Sequence, residues 1–233
     1  MKKVTFLLAV LLSSVSLLAQ NLEKIVEKHL EATGADRLSN YKTLRVEGSM
    51  DMMGMNMKMV LLEKAPDKMK SVTSFSGTET TIVINGDKGY MINPMMGSNE
   101  PVELPVDQLD QQRNNSMLRS TLPQGLKDGK LELIGEEDVK GKAAYKIRSK
   151  METGENTIFI DKETFYIVKV SMSVEQMGQE MNMDMMMVDY TDFDGVKMAT
   201  KIETYMSGQL AGNVVYSKIE FDIPIEDSEF EVK

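Results

Sequence analysis

Ser49-Met50-Asp51-Met52-Met53-Gly54-Met55-Asn56-Met57-Lys58-Met59 alternates apolar and polar residues on either side of a Met-Gly step. Alternation is the period of a strand, and it breaks at Met53. A two-residue turn at Met53-Gly54 restores it, pairing Met52 with Met55 and Met50 with Met57. Directly paired residues share a face. Met50, Met52, Met55, Met57 and Met59 therefore point one way, joined by Val46 and Leu61. Glu47, Ser49, Asp51, Asn56 and Lys58 point the other way.

The construction recurs over 165–190. A turn at Met177-Gly178 pairs Val174 with Met181, Met172 with Met183, Val170 with Met185 and Val168 with Met187. One face then holds Val168, Val170, Val174, Met172, Met181, Met183, Met185 and Met187. The other shows Lys169, Ser171, Ser173, Glu175, Asn182 and Asp184 to water. The chain has 22 methionines, and ten of them fall on these two faces. Val or Ile would suit strands better. Met is unbranched and polarizable, and repacks around variable apolar partners. The two hairpins thus read as the lining of an adaptable apolar cavity for acyl chains. Two other readings of the same residues stand beside it. One is a methionine-rich copper(I)-binding periplasmic protein, since thioethers are soft ligands. The other is a non-enzymatic structural or interaction protein with a methionine-rich core.

Outward from these hairpins, period-two segments lie near 43–52, 55–63, 68–75, 79–85, 88–93, 130–137, 142–150, 155–161, 196–207 and 211–222. Gly or Asn-Gly and Asp-Gly breakers separate many of them. Short turns imply antiparallel pairing, because parallel strands need long crossovers. A helix over 22–33 is capped by Asn21 and closed by Gly34. The stretch 94–129, with Pro94, Pro101, Pro105 and Pro123, reads as two short helices and loops, a lid-like insertion. The fold class is mainly β with α: a strongly curved antiparallel sheet, an unclosed half-barrel, with helices at 22–33 and within 105–122 on its concave face.

Residues 1–19, MKKVTFLLAVLLSSVSLLA, read as a cleaved signal peptide: a basic start, an apolar middle and a small residue at the end. The remainder, 20–233, reads as one exported, periplasmic domain. Of the 233 residues, 27 are Lys or Arg and 36 Asp or Glu, so the net charge is −9. That balance excludes nucleic acid as a partner. Zero cysteines exclude disulfides, thiolate metal sites and a cysteine nucleophile. His29 sits among Ile25, Val26 and Leu30 and reads as structural. Gly135 to Lys142 fails as a phosphate loop, because the spacing is wrong and Ala143 stands where Ser or Thr is required. Asp189 to Asp194 fails as a calcium loop and reads as an Asp-Gly hairpin turn. No catalytic constellation, metal site or cofactor motif is present.

Several pieces of the chain resemble the LolA-like family of periplasmic lipoprotein carriers and outer-membrane lipoprotein-sorting relatives. They are Glu31-Ala32-Thr33-Gly34 with Leu44 to Gly48, Lys64-Ala65-Pro66-Asp67-Lys68-Met69, and Ile84 to Pro94. Gly141 to Ile147, Ile158 to Thr164, Asp192 to Lys197 and Ile223 to Phe230 complete the match. The resemblance implies a half-barrel with a helical lid over a cavity for acyl chains. It also implies a lipoprotein or other lipid as cargo and a membrane-associated donor or acceptor protein. The chain departs from the family in one place. Ala65 precedes Pro66 where the carriers have Arg, and Met69 occupies an aromatic position. That Arg is tied to opening and closing, so another lipid is the better expectation than lipoprotein shuttling.

Overall fold

A computed structural model describes residues 21–151, 154–176 and 179–232. The segment read as a signal peptide and the turn expected at Met177-Gly178 lie outside the described residues. Thirteen strands form one antiparallel sheet in the order β6-β5-β4-β3-β2-β1-β13-β12-β11-β10-β9-β8-β7. Its two end strands do not pair with each other, so the sheet is unclosed. Almost every neighbour in that order is the next strand in sequence, as hairpin connections require. β1 and β13, the first and last strands, are the exception and pair with each other. The chain divides into two compact units, each described by itself.

The first unit holds a helix α1 over 21–33, helix α3 (Leu122–Lys127) and strands β7 (Leu131–Val139), β8 (Lys142–Met151), β9 (Gly154–Asp161) and β10 (Ile167–Gln176). It also holds the first part of β11 (Gln179–Phe193). Leu22, Ile25 and Val26 project from one side of α1 and pack on Leu122, Ile147 and Ile160. Gly34 ends the helix with φ 66°, its N–H bonding to the Leu30 carbonyl at 2.7 Å. The opposite face of the sheet closes over Val139, Ala144, Phe159 and Met186.

The second unit holds β1 (Thr43–Met52), β2 (Met55–Lys64), β3 (Lys68–Phe75), β4 (Thr78–Asn85), β5 (Lys88–Asn93) and β6 (Ser98–Glu103). Helix α2 (Val106–Asn114), the rest of β11, most of β12 (Val196–Met206) and of β13 (Gln209–Phe221), and the C-terminal segment complete it. One face packs Leu61, Met69, Ile82 and Ile84 under Leu109 of α2. A Cβ on Gly89 would stand 2.9 Å from a Leu109 methyl and 3.0 Å from a Leu104 methyl, so glycine there lets α2 descend onto the sheet. The other face buries Leu62 and Val83 beneath Phe230, with Ile225 and Val232 alongside. Lys64 and Lys68 hold Asp227 at 2.7 and 3.1 Å, and Lys70 holds Glu229 at 2.7 Å. These pairs fasten the C-terminal segment to the sheet.

Three local expectations change. The stretch 94–129 contains a strand, β6, as well as helices; Val102 pairs with Met91 and Ser98 with Asn93. Pro101 hides it from a pattern search, but β6 is an edge strand, where a missing N–H costs no ladder bond. The second helix of that stretch begins at Leu122 and lies beyond the expected 105–122 window. Val168 packs with the Val139 cluster and not with the methionine row. The cause is a bulge between Ile167 and Lys169 that shifts the register by one residue.

Candidate functional site

The first methionine hairpin has the register its sequence dictates: Met52 opposite Met55, Met50 opposite Met57 and Val46 opposite Leu61. Met53 and Gly54 take φ 53° and 82°, as a two-residue turn with both central residues left-handed demands. The pairing carries this face across the sheet. Leu61 opposes Ser71, Ser71 opposes Ile82 and Ile82 opposes Met91. It is therefore the face on which α2 sits. Along β1 and β2 burial falls steadily. Leu44 and Val46 are fully buried, Met50, Met52, Met57 and Met59 are half-buried, and Met55 is 44% exposed. Ser71, Thr73 and Thr80 share the face, Thr80 donating to the Asn93 side chain at 3.3 Å. The apolar lining of this face thus runs from the methionines of β1 and β2 to Met69, Ile82 and Ile84 under α2, with Ser71, Thr73 and Thr80 set among them.

The second hairpin also keeps its register, with Val170 opposite Met185, Met172 opposite Met183 and Val174 opposite Met181. Val170 pairs onward with Ile158, and Ile158 with Ile147. Met172, Met183 and Met185 therefore lie on the face that α1 covers, half-buried like Met181. Met187 continues the strand within the other unit. The reverse face is not all in water. Lys169 there lies 3.9 Å over the Phe159 ring and pairs with Glu137 at 3.0 Å, beside buried Met186.

Glu63 is the residue the sequence reading passed over. It lies on the methionine face of β2, two positions past Leu61, and is only 2% exposed. Its carboxylate accepts from the Ser116 hydroxyl at 2.6 Å and from the Met117 N–H at 2.8 Å. A weaker bond comes from the Leu118 N–H at 3.4 Å. A buried carboxylate needs such donors, and here they tie the segment after α2 to the sheet. The strict alternation Met57, Met59, Leu61, Glu63 was the available signal. Met69 is buried beneath Leu109.

In the first unit, a groove of about 630 Å³ runs between α1 and the β7–β8 edge, walled by Ile25, Leu133, Tyr145 and Phe165 with Lys24 and Lys28 at its mouth. The Lys28 ammonium sits 4.7 Å over the Phe165 ring. His29 is buried nearby, its Nδ1 2.7 Å from the Phe165 carbonyl. Burial lowers its pKa, partly offset by that carbonyl bond. Asp161 is pushed up by burial, but hydrogen bonds from Thr164 and Glu163 outweigh this and leave it lowered. Hydrogen bonds from Lys146 and Lys169 lower Glu137. These groups are satisfied supports of turns and strands.

By sequence, the chain matches no family model and no curated protein. By structure it resembles an outer-membrane lipoprotein-sorting protein domain from Vibrio parahaemolyticus, with a TM-score of 0.58 at 13% identity, over 91% of this chain and 97% of that one. A LolA superfamily protein from Nitrosomonas europaea gives 0.58 at 15% identity, over 90% and 97%. A DUF1329 family protein from Desulfovibrio piger gives 0.57 at 16%, over 89% and 97%. The chain has the LolA-like fold.

Proposed function

We propose that the protein is an exported, non-catalytic carrier that holds the acyl chains of a lipoprotein or another lipid against its two methionine faces. The observation that carries this reading is the partial burial of the methionine rows, Met55 apart, on the faces where the helices pack. Half-buried, unbranched thioethers leave apolar area that an acyl chain would cover, at about 25 cal/mol for each Å². The shared fold with a lipoprotein-sorting domain supports this reading, and the leader-like segment 1–19 supports an extracytoplasmic place of action. Ala65 and Met69, at positions where the carriers have Arg and an aromatic, favour a lipid other than a shuttled lipoprotein. Loading or release would then involve a membrane-associated donor or acceptor.

Native mass spectrometry of protein recovered from its export compartment, with displacement of a fluorescent fatty acid, tests this. Met183→Asp places a carboxylate opposite Met172, whereas Asn182→Asp places one opposite Ser173 on the reverse face. The first abolishes displacement in folded protein, and the second leaves it intact. Absence of any lipid, or equal loss in both variants, removes the reading.

A further inference from the structure

The methionine face of the second unit is crossed by a row of small and hydroxyl-bearing residues. Tyr216 on β13 stands opposite Gly48, and Gly48 stands opposite Met59 on β2. Met59 opposes Thr73, and Thr73 opposes Thr80. Ser71 lies on the same face, two positions along β3 from Thr73. A Cβ on Gly48 would stand 2.5 Å from the Val215 carbonyl oxygen, where a bulge brings β13 close to β1. Glycine is therefore required there, and it leaves a gap in the row between Tyr216 and Met59.

Three of the hydroxyls on this face are idle. Thr80 donates to the Asn93 side chain at 3.3 Å. Among the described residues, the hydroxyls of Tyr216, Ser71 and Thr73 have no hydrogen-bond partner, although all three residues are partly buried. Burial pushes the Tyr216 phenol above its ordinary pKa, and no hydrogen bond holds it down. A polar group withdrawn from water without a partner costs stability. Phe and Val would fill the same positions without that cost.

The charges of the face narrow what could meet these hydroxyls. Among the described residues, pairing puts one charged side chain on this face of β1–β5, Glu63, and its carboxylate is held by Ser116, Met117 and Leu118. Arg113 of α2 is turned to the Gly86 carbonyl and to Asp110. These strands thus offer no ammonium or guanidinium to an anionic head group. A carboxylate only accepts hydrogen bonds, and it is costly to bury without a cation. An alcohol both donates and accepts, as the idle hydroxyls do. A glyceryl ester carries several such groups side by side, so it can meet both sides of the Gly48 gap.

We propose that the methionine face of the second unit selects an acylglycerol, an acyl chain carried on an uncharged glyceryl ester, through the hydroxyls of Tyr216, Ser71 and Thr73. The chain lies on the methionines of β1 and β2, and the head lies across the row. The inference rests on the carrier reading above and names its ligand class.

Competition between monodecanoylglycerol and decanoate for the bound fluorescent fatty acid, at pH 8 and below the micelle concentration of each, tests it. The acyl chains are equal, so only the head differs. Monodecanoylglycerol should displace the probe at about tenfold lower concentration, the effect of one or two neutral hydrogen bonds. Tyr216→Phe with Thr73→Val removes two hydroxyls and keeps the shape of both side chains. In this double variant decanoate should act at its wild-type concentration, the preference for the ester should vanish, and urea unfolding should come no earlier than in the wild type. Equal displacement by the two compounds in the wild type, stronger displacement by decanoate, or a preference that survives in the double variant overturns the proposal and leaves the carrier reading intact. A urea midpoint well below the wild type overturns it too, because the hydroxyls would then have structural partners. No displacement by either compound removes the carrier reading, and the proposal with it.

Discussion

Replacing Glu63 should loosen the segment after α2 more than it loosens the sheet. Two of its hydrogen bonds are short, 2.6 Å from Ser116 and 2.8 Å from Met117, and the third is long at 3.4 Å. Hydrogen bonds to a charged group contribute about 1.5–3 kcal/mol each. Glu63→Ala therefore costs about 3 kcal/mol or more, at the upper end for a point substitution. Glu63→Gln keeps one carbonyl acceptor for Met117, and Ser116 can turn to accept from the new amide. It costs about 1–2 kcal/mol. Local opening by that amount raises amide exchange about tenfold. Hydrogen exchange read at Met117 and Leu118, against Val46 in the same unit, separates local from global effects. Met117 and Leu118 should exchange about tenfold faster in Glu63→Gln while Val46 is little changed. Wild-type exchange at Met117 and Leu118 in the folded variant would refute the anchoring role.

Gly89→Ala should push α2 outward, because its Cβ would stand 2.9 and 3.0 Å from Leu109 and Leu104; urea denaturation should show a loss of about 1–3 kcal/mol. His29 should make stability fall as the pH drops from 7 to 5.5. Burial lowers its folded pKa below the ordinary 6.5, so the unfolded chain takes up a proton that the folded chain resists. Glu137, Asp161 and Asp227 are lowered from ordinary values of 4.5, 3.8 and 3.8, so their stabilisation is lost only at more acidic pH. A His29→Gln protein should therefore show a flatter midpoint between pH 5.5 and 7 than the wild type. Changing Met181, Met183 and Met185 together to Leu should preserve fatty-acid displacement, because apolar volume is kept. Tight copper(I) binding that the same change abolishes, measured against a competing chelator, would favour the metal reading instead.

Both methionine hairpins were legible because alternation, a Met-Gly step and cross-strand pairing over-determine the register. Glu63 was legible by the same parity, yet a carboxylate on an apolar face reads as a break in the pattern unless its donors are known. Those donors lie more than fifty positions away, at 116–118, and only tertiary structure brings them together. The displacement of Val168 was not legible, since a bulge inserts one residue without any signature in composition. Strand β6 was masked by Pro101, whose meaning depends on whether a strand is central or at an edge.

Why the chain uses methionine on these strands is itself testable. Branched residues fit a pleated surface better and lose less freedom on folding, so stability alone favours Ile or Val. On β1 and β2, branched or γ-branched residues do occupy the fully buried end, Leu44 and Val46. Leu61, opposite Val46, is partly buried, and methionine takes over from there toward the turn, at Met50, Met57 and Met59. The change of residue type therefore follows the change of environment within one pair of strands. A closed core rewards a fixed shape, whereas a surface that meets different acyl chains rewards a side chain that repacks. Met57→Ile with Met59→Ile should then stabilise the fold slightly in urea while narrowing the range of fatty-acid lengths that compete for the site. Displacement assays over a series of chain lengths read that range directly. An unchanged length profile in a folded, stabilised variant would mean that the methionines are packing residues, and that their flexibility has no part in binding.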